Sequence, residues 1–222
     1  MAAGAVAAPW RIVGLPKQTM PLTRFDIVTE ASAVGAASAA VVRVMVDGSY
    51  GNLAFDTGGV QLSQQALLRW RWRLDQGLNG SDLRRKDGDD SPVKICALFD
   101  MELSGMSLGE QSRLRFARAL TGEHLPAATL CYVWDRLLPA GTELPNVFSA
   151  RVRYVVASSG AARPGQWVEL ERRVGADFLR AFGHETRQIP PLIALVVGAD
   201  ADNTGARSLA FVGDLMLAPQ RP

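Results

Sequence analysis

Two short acidic segments carry the side chains best suited to chemistry. In Asp200-Ala201-Asp202-Asn203-Thr204, the residues Asp200, Asp202 and Asn203 offer oxygen donors close together. Hard cations such as Ca²⁺ take about six to eight oxygens in flexible geometry, so a structural Ca²⁺ is one reading. The other is an Asx turn joining two strands, where Asp, Asn and Gly are common. A ligand loop starting at Asp200 would place Gly205 at its sixth position. Its twelfth would be Phe211, where an EF-hand needs a bidentate Glu. In the second segment Asp87, Asp89 and Asp90 follow Arg84, Arg85 and Lys86. They read either as a solvated turn neutralised by its neighbours or as carboxylates that accept ligand hydroxyls or hold a cation.

A third set lies on strand-like stretches. Arg71 and Arg73 share one face of their segment, Arg151 and Arg153 of theirs, and Glu169 and Glu171 of theirs. Cross-strand Arg–Glu pairing is ordinary sheet stabilisation. The functional alternative is a binding face, with Tyr132, Trp134 or Trp167 as a flat platform for a sugar ring. Same-face residues two apart on a strand lie roughly 6.6–6.8 Å apart. Retaining glycosidases hold their carboxyls about 5–5.5 Å apart and inverting ones about 6.5–9.5 Å. The spacing of Glu169 and Glu171 is therefore compatible with a glycan-active enzyme, as is that of any E-x-E on a strand. The neighbouring Arg172 and Arg173 favour ionised acids, which suits a nucleophile or base better than a proton donor.

Other chemistries are poorly supplied. His124 and His184 are the only histidines, and neither belongs to an HExxH pair. No G-x-S-x-G elbow, dinucleotide fingerprint or P-loop occurs. A net charge of +2, without a basic stripe, gives no support to nucleic-acid binding. Cys96 and Cys131 sit in the apolar runs ICALF and LCYVW with no CxxC partner, which argues against a thiolate zinc site. They are expected as buried thiols, with a disulfide between neighbouring strands as the alternative in an exported protein.

The elements that must position these groups are mostly strands. In LLRWRWRL, Trp70, Trp72 and Leu74 alternate with Arg69, Arg71 and Arg73, which predicts a strand with one core side. Further strands are expected over 23–29, the stretch around 42–46, and 51–55, 93–99, 130–134, 146–157, 166–173, 192–199 and 208–217. Short helices are expected over 110–120 and 176–182, the first ended by Gly122. With 48% apolar residues and 21 Gly and 12 Pro spread along the chain, strands joined by turns read as a sandwich over a substantial core. Residues 1–9 read as a disordered lead or signal remnant, 10–218 as one β-sandwich domain and 219–222 as a tail. No stretch reaches the roughly 18 apolar residues of a membrane-spanning helix.

The segments WRWRL, KDGDDSPVKICALF, LCYVWD, QWVELERRVGADFLRAFG and GADADNTGARSLAFVGDLML, in this order, together resemble a bacterial family, domain of unknown function 3047, from about Trp10 to Leu217. The resemblance implies an envelope-associated or exported protein, periplasmic or secreted if a signal peptide was removed and cytoplasmic otherwise. The family's layout is similar to jelly-roll carbohydrate-binding modules. The expected fold is an all-β sandwich of jelly-roll, galactose-binding-like type with two short helices. The expected function is non-catalytic binding of a carbohydrate or other hydroxyl-rich envelope ligand by Arg71, Arg73, Asp87, Asp89, Asp90, Trp134, Glu169 and Glu171. The alternatives are a glycan-active enzyme using Glu169 and Glu171, or a structural or adaptor protein. No cofactor is expected beyond a structural Ca²⁺ at Asp200, Asp202 and Asn203.

Overall fold

Successive side chains of a strand point to opposite faces, and that alternation organises the molecule. The computed structural model describes residues 4–30, 39–121 and 126–219. Thirteen strands and two helices follow one another as β1 (Gly4–Ala5), β2 (Trp10–Val13), β3 (Arg24–Glu30), β4 (Ala39–Asp47), β5 (Tyr50–Val60), β6 (Leu67–Gln76), β7 (Lys94–Phe99), α1 (Leu108–Thr121), β8 (Ala128–Asp135), β9 (Glu143–Pro145), β10 (Val152–Ser159), β11 (Val168–Arg173), α2 (Val174–Phe182), β12 (Leu192–Asp200) and β13 (Arg207–Ala218). They form a first sheet in the order β1-β3-β4-β13-β6-β11 and a second in the order β2-β5-β12-β7-β8-β10-β9. The architecture is a β-sandwich of jelly-roll type. All neighbours are antiparallel except β8 and β10, which run parallel. No helix among the described residues is long and apolar enough to cross a membrane.

The core lies between the sheets. From the first sheet come Leu68, Trp70, Trp72 and Leu74 of β6, with Val44, Val46, Ala210 and Val212. From the second come Ile95, Ala97, Leu130, Tyr132 and Trp134. Aromatic rings span the gap, Trp70 against Tyr132 at 5.2 Å and Trp72 against Trp134 at 5.9 Å between centroids. In α2, Val174, Phe178 and Phe182 recur every four residues along one buried stripe. Phe178 packs against Phe99 with tilted rings, 4.5 Å between centroids, and the helix touches both sheets, through β6 and β11 on one side and β8 on the other. Helix α1 starts with a capping box, in which Ser107 and Glu110 bond reciprocally. Gly122 and His124 lie outside the described residues. Gly4–Ala5 pair with Ile27 and Asp26 of β3, where the sequence reading expects a disordered lead.

The second sheet has a second buried face. All eight residues of β8 are buried, so its sequence reads as a continuous apolar run without alternation. On the outer face Ala54, Cys96, Cys131, Val133, Tyr154, Val156 and Val196 form a smaller cluster under Leu83. Cys96 and Cys131 stand directly opposite each other in the β7–β8 ladder and are joined in a disulfide, not left as thiols. Facing positions on adjacent strands depend on register, which the spacing of the two cysteines does not disclose.

Two stability predictions follow from this packing. Trp72 is fully buried and its indole N–H donates to Ser158 Oγ at 2.9 Å. Trp72→Ala is therefore expected to cost about 3–5 kcal/mol in chemical denaturation, and a loss under about 1 kcal/mol would contradict the packing. The disulfide spans 35 residues of chain, and removing a crosslink of that length typically costs about 2–4 kcal/mol. Urea denaturation of a Cys96→Ala/Cys131→Ala double variant tests this, and unchanged stability would refute the crosslink.

Candidate functional site

The charged outer face of the first sheet is consumed by its own contacts. Arg71 and Arg73 are only 6% and 8% exposed. The Arg71 guanidinium lies 4.4 Å from the Trp167 ring and pairs with Asp214 at 2.7 Å. Arg73 sits between Trp167 at 5.2 Å and Phe211 at 4.0 Å and pairs with Glu30 and Asp75. Covering aromatics and paired carboxylates leave neither arginine for the ligand contact the sequence suggested. Glu169 and Glu171 face Arg71 and Arg69 across the β11–β6 ladder, and Glu171 pairs with Arg69 at 2.5 Å. Both acids are exposed on an edge strand, which gives no sheltered position between two carboxyls for a scissile bond.

Trp134 is also displaced from its expected role. It is 4% exposed, packs on Trp72, and donates its indole N–H to Gly160 O at 3.0 Å. Because β8 is buried on both faces, its sequence gave no sign of which side Trp134 takes. Tyr132 is likewise internal, its hydroxyl donating to Asp177 at 2.8 Å. His184 is exposed beside Glu185.

The two acidic segments, by contrast, meet. Asp90 accepts from Asn203 N at 3.2 Å, Asn203 Nδ2 at 3.0 Å and Thr204 N at 2.7 Å. Asn203 Nδ2 also donates to the carbonyl of Asp89 at 3.2 Å. Loops 113 residues apart in sequence are thereby interlocked. Asp87 does not join them. It is exposed, pairs with Arg85 at 2.6 Å, and lines an open cleft of about 310 Å³ with Ser81, Asp82 and Arg136.

At the centre of the junction is a buried ion pair. Asp200, the last residue of β12, accepts from Ser91 N at 2.8 Å and from Lys94 Nζ at 2.5 Å. The lysine stem passes over Gly198, where a Cβ would come within 3.0 Å of Lys94 Cε and 2.5 Å of Asn52 Oδ1. Gly198 is therefore the residue that leaves Lys94 its path. Burial works against the lysine's charge, and Asp200 more than restores it, holding the ammonium well above its ordinary range.

Around this pair stand two incompletely satisfied acids. Asp89, 6% exposed, accepts from Asn146 Nδ2, which also donates to Tyr154 OH at 2.8 Å. The other Asp89 oxygen, Oδ1, is buried with no donor. Burial pushes this carboxyl up to about 6, with Asp200 adding to the shift and Lys94 and hydrogen bonding from Asn146 and the Tyr154 phenol opposing it. Asp202 Oδ1 is likewise buried without a donor, and burial, Asp200 and Asp90 raise its carboxyl. Burial also raises the phenol of Tyr154. Buried polar atoms in folded proteins almost always have partners, so two unmatched acceptors beside one ion pair mark a place for a donor-bearing ligand or water.

The arrangement does not fit the Ca²⁺ that the Asp200–Asn203 spacing allowed. Both oxygens of Asp200 are engaged, one of them by an ammonium, and the Asn203 amide nitrogen faces Asp89 and Asp90. Among the described residues no three His, Cys, Asp or Glu side chains are placed to hold a metal ion.

Sequence reasoning missed Lys94, Asn146 and Tyr154 as members of the site. The available signal was Lys94, a rare lysine inside the apolar run VKICALF. It also missed Phe148, which is 58% exposed, donates its N–H to Asn146 Oδ1 at 2.9 Å, and has Lys86 Nζ 5.6 Å from its ring.

With the fold and cluster in place, residues 8–216 match the family described as Protein of unknown function (DUF3047). The chain belongs to this family. No curated protein matches the DUF3047 chain in sequence. Among solved structures it is similar to the cellulose induced protein Cip1, at 13% identity and a TM-score of 0.44, covering 96% of this chain and 92% of that one. It is also similar to an exo-beta-agarase, at 9% identity and a TM-score of 0.39, covering 98% of this chain and 24% of that one. A third likeness is to the glycoside hydrolase domain of Endo-D from Streptococcus pneumoniae R6, at 10% identity and a TM-score of 0.38, covering 96% and 22%. The chain thus spans about a quarter of the agarase and Endo-D chains. These likenesses are loose, and the fold of the DUF3047 protein rests on the strand pairing itself.

The raised carboxyl of Asp89 gives a measurable sign. An acid whose folded value, about 6, lies above the ordinary aspartate value of 3.8 binds more protons in the fold between those two pH values. Its contribution to stability therefore falls as pH rises from about 4 to about 6, then levels off. Asp89→Asn keeps an acceptor for Asn146 and removes the buried charge. The variant is expected to be more stable than the wild type at pH 7 by on the order of 1–3 kcal/mol, with the gain shrinking towards pH 4. Urea denaturation at a series of pH values checks this, and a variant less stable at pH 7 would contradict it.

Proposed function

We propose that this protein binds a carbohydrate or comparable hydroxyl-rich ligand of the cell envelope, without turnover, at the cluster of Asp89, Asp202, Asn146 and Tyr154. The observation that carries the reading is the pair of buried carboxylate oxygens, Asp89 Oδ1 and Asp202 Oδ1, that have no well-formed hydrogen bond, Asp89 being eased only by its Asn146 bond and the neighbouring Tyr154 phenol. Sugar hydroxyls are donors of the kind these acceptors need, and hydrogen bonds to charged acceptors are the stronger ones. Phe148, exposed and tethered through Asn146, offers an apolar face beside the polar groups. Cys96–Cys131 supports export into an oxidising compartment such as the periplasm, where disulfides persist. The names of the structural neighbours concern agar, a glycoside hydrolase and cellulose induction, and the proposal does not rest on them.

One observation favours a second reading. A carboxyl raised to about 6 can serve as a proton donor near neutral pH, so a glycan-active enzyme would use Asp89, not Glu169 and Glu171. A glycan-array screen of the intact protein, with product analysis on each ligand bound, separates the readings. Binding is expected without released product, weakened at least about tenfold in Asp89→Asn and Asp202→Asn and unchanged in Glu169→Gln and Glu171→Gln. Product that disappears in Asp89→Asn would replace the binder with an enzyme. No binding to any glycan would favour a structural or adaptor protein.

A further inference from the structure

The charge of the cluster restricts which sugars it can accept. The cluster holds four carboxylates, with Asp200 in contact with the ammonium of Lys94, Asp89 and Asp202 within its electrostatic reach, and Asp90 on the adjoining loop. That ammonium is already paired with Asp200 and buried. The arginines on the adjacent loop do not redress the balance, since Arg84 is held by Asp82 and Arg85 by Asp87. Lys86 stands over Phe148 at the rim, where a solvated charge is screened. The two carboxylate oxygens without a partner are acceptors, while the amides of Asn146 and Asn203 are spent on protein acceptors and the Lys94 ammonium is drawn to Asp200.

From this we infer that the site selects its ligand by charge: it takes neutral or amino-bearing sugar units and rejects uronates and sulfated or phosphorylated ones. The inference rests on the binding role proposed above and names the ligand class for the same cluster. Ligand hydroxyls or an ammonium can donate to Asp89 Oδ1 and to Asp202 Oδ1. A ligand carboxylate or sulfate brings only acceptors to acceptors, and it meets an excess of negative charge in a partly desolvated setting where repulsion is weakly screened. An amino sugar in its ammonium form, a fraction of which is present at neutral pH and favoured by the same excess, gains attraction, so it should rank above its neutral counterpart at low ionic strength.

Three oligosaccharides with one backbone test the ranking: β-1,4-linked glucose, glucosamine and glucuronate of equal length. They are used as competitors against the strongest array ligand and measured directly by titration calorimetry at pH 7. The expected order is glucosamine, then glucose, with glucuronate weaker by at least about tenfold. Raising the salt from 50 mM to 500 mM is expected to shrink the glucosamine advantage by about threefold or more. Asp202→Asn is expected to narrow the gap between glucosamine and glucuronate by about fivefold. If none of the three competes, the array signals sorted by charge class decide the point. Hits confined to neutral and amino glycans support the inference. Glucuronate binding as tight as glucose, or array hits dominated by acidic glycans, would overturn the charge selection while leaving the binding role intact. An array with no hits would remove the binding role, and the inference with it.

Discussion

The structure around the site depends on the buried pair of Lys94 and Asp200. Lysine is among the least often buried residues, and an isolated ammonium in the interior would shed its proton before it stayed charged. Here the first residue of β7 reaches the last residue of β12, its neighbour in the sheet. The same carboxylate accepts from Ser91 on the loop entering β7. One acid therefore fixes where the Asp87–Ser91 segment lands, and Asp90 then captures the Asn203–Thr204 backbone. A pair of this kind is weak evidence for net stability, because desolvation offsets much of the attraction. Its effect here is positional: it sets the level at which two loops meet.

The pair is possible because the second sheet is buried on both sides. The outer cluster of Cys96, Cys131, Val133, Tyr154 and Val156 gives the polar groups a low-dielectric floor. On that floor burial can lift Asp89 and Asp202 together. The opposite sheet shows the contrasting outcome. Its Arg71 and Arg73 are also largely buried, yet each finds a carboxylate and an aromatic face, so that surface is closed. Pairing makes one polar face structural, and incomplete pairing at Asp89 and Asp202 marks the other as the candidate site.

How much of this was legible in the sequence follows from the range of each interaction. The strict alternation of Trp70, Trp72 and Leu74 with three arginines displayed β6 and its core side, because strand periodicity is local. Both helices were visible for the same reason, and ordered motifs along nearly the whole chain displayed the family. The acidic residues were singled out by type, but as two loops with separate roles, since nothing local connects Asp90 with Asn203. Trp134 was misread because a strand buried on both faces loses the alternation that would reveal its direction. Arg71 and Arg73 were misread because their covers come from distant parts of the chain, Trp167 just ahead of β11 and Phe211 on β13. The Cys96–Cys131 pairing needs the β7–β8 register, which periodicity does not contain.

Placement of the disulfide bears on how such a site would work. Cys96 lies two residues from Lys94 on β7, and Cys131 pairs across to Tyr154 of β10 in the ladder. The crosslink thus joins the strand carrying the buried cation to the strand beside the one carrying Tyr154, the phenol that shares Asn146 with Asp89. Binding groups held in place before the ligand arrives lose less entropy on binding, and sites built on strands hold their geometry better than sites built on loops. Here the acceptors Asp89 and Asp202 come from loops, which would be imprecise alone. Strand-borne Lys94 and Asp200, joined by a buried ion pair, and the β7–β8 crosslink next to the strand of Tyr154 would supply the rigidity those loops lack.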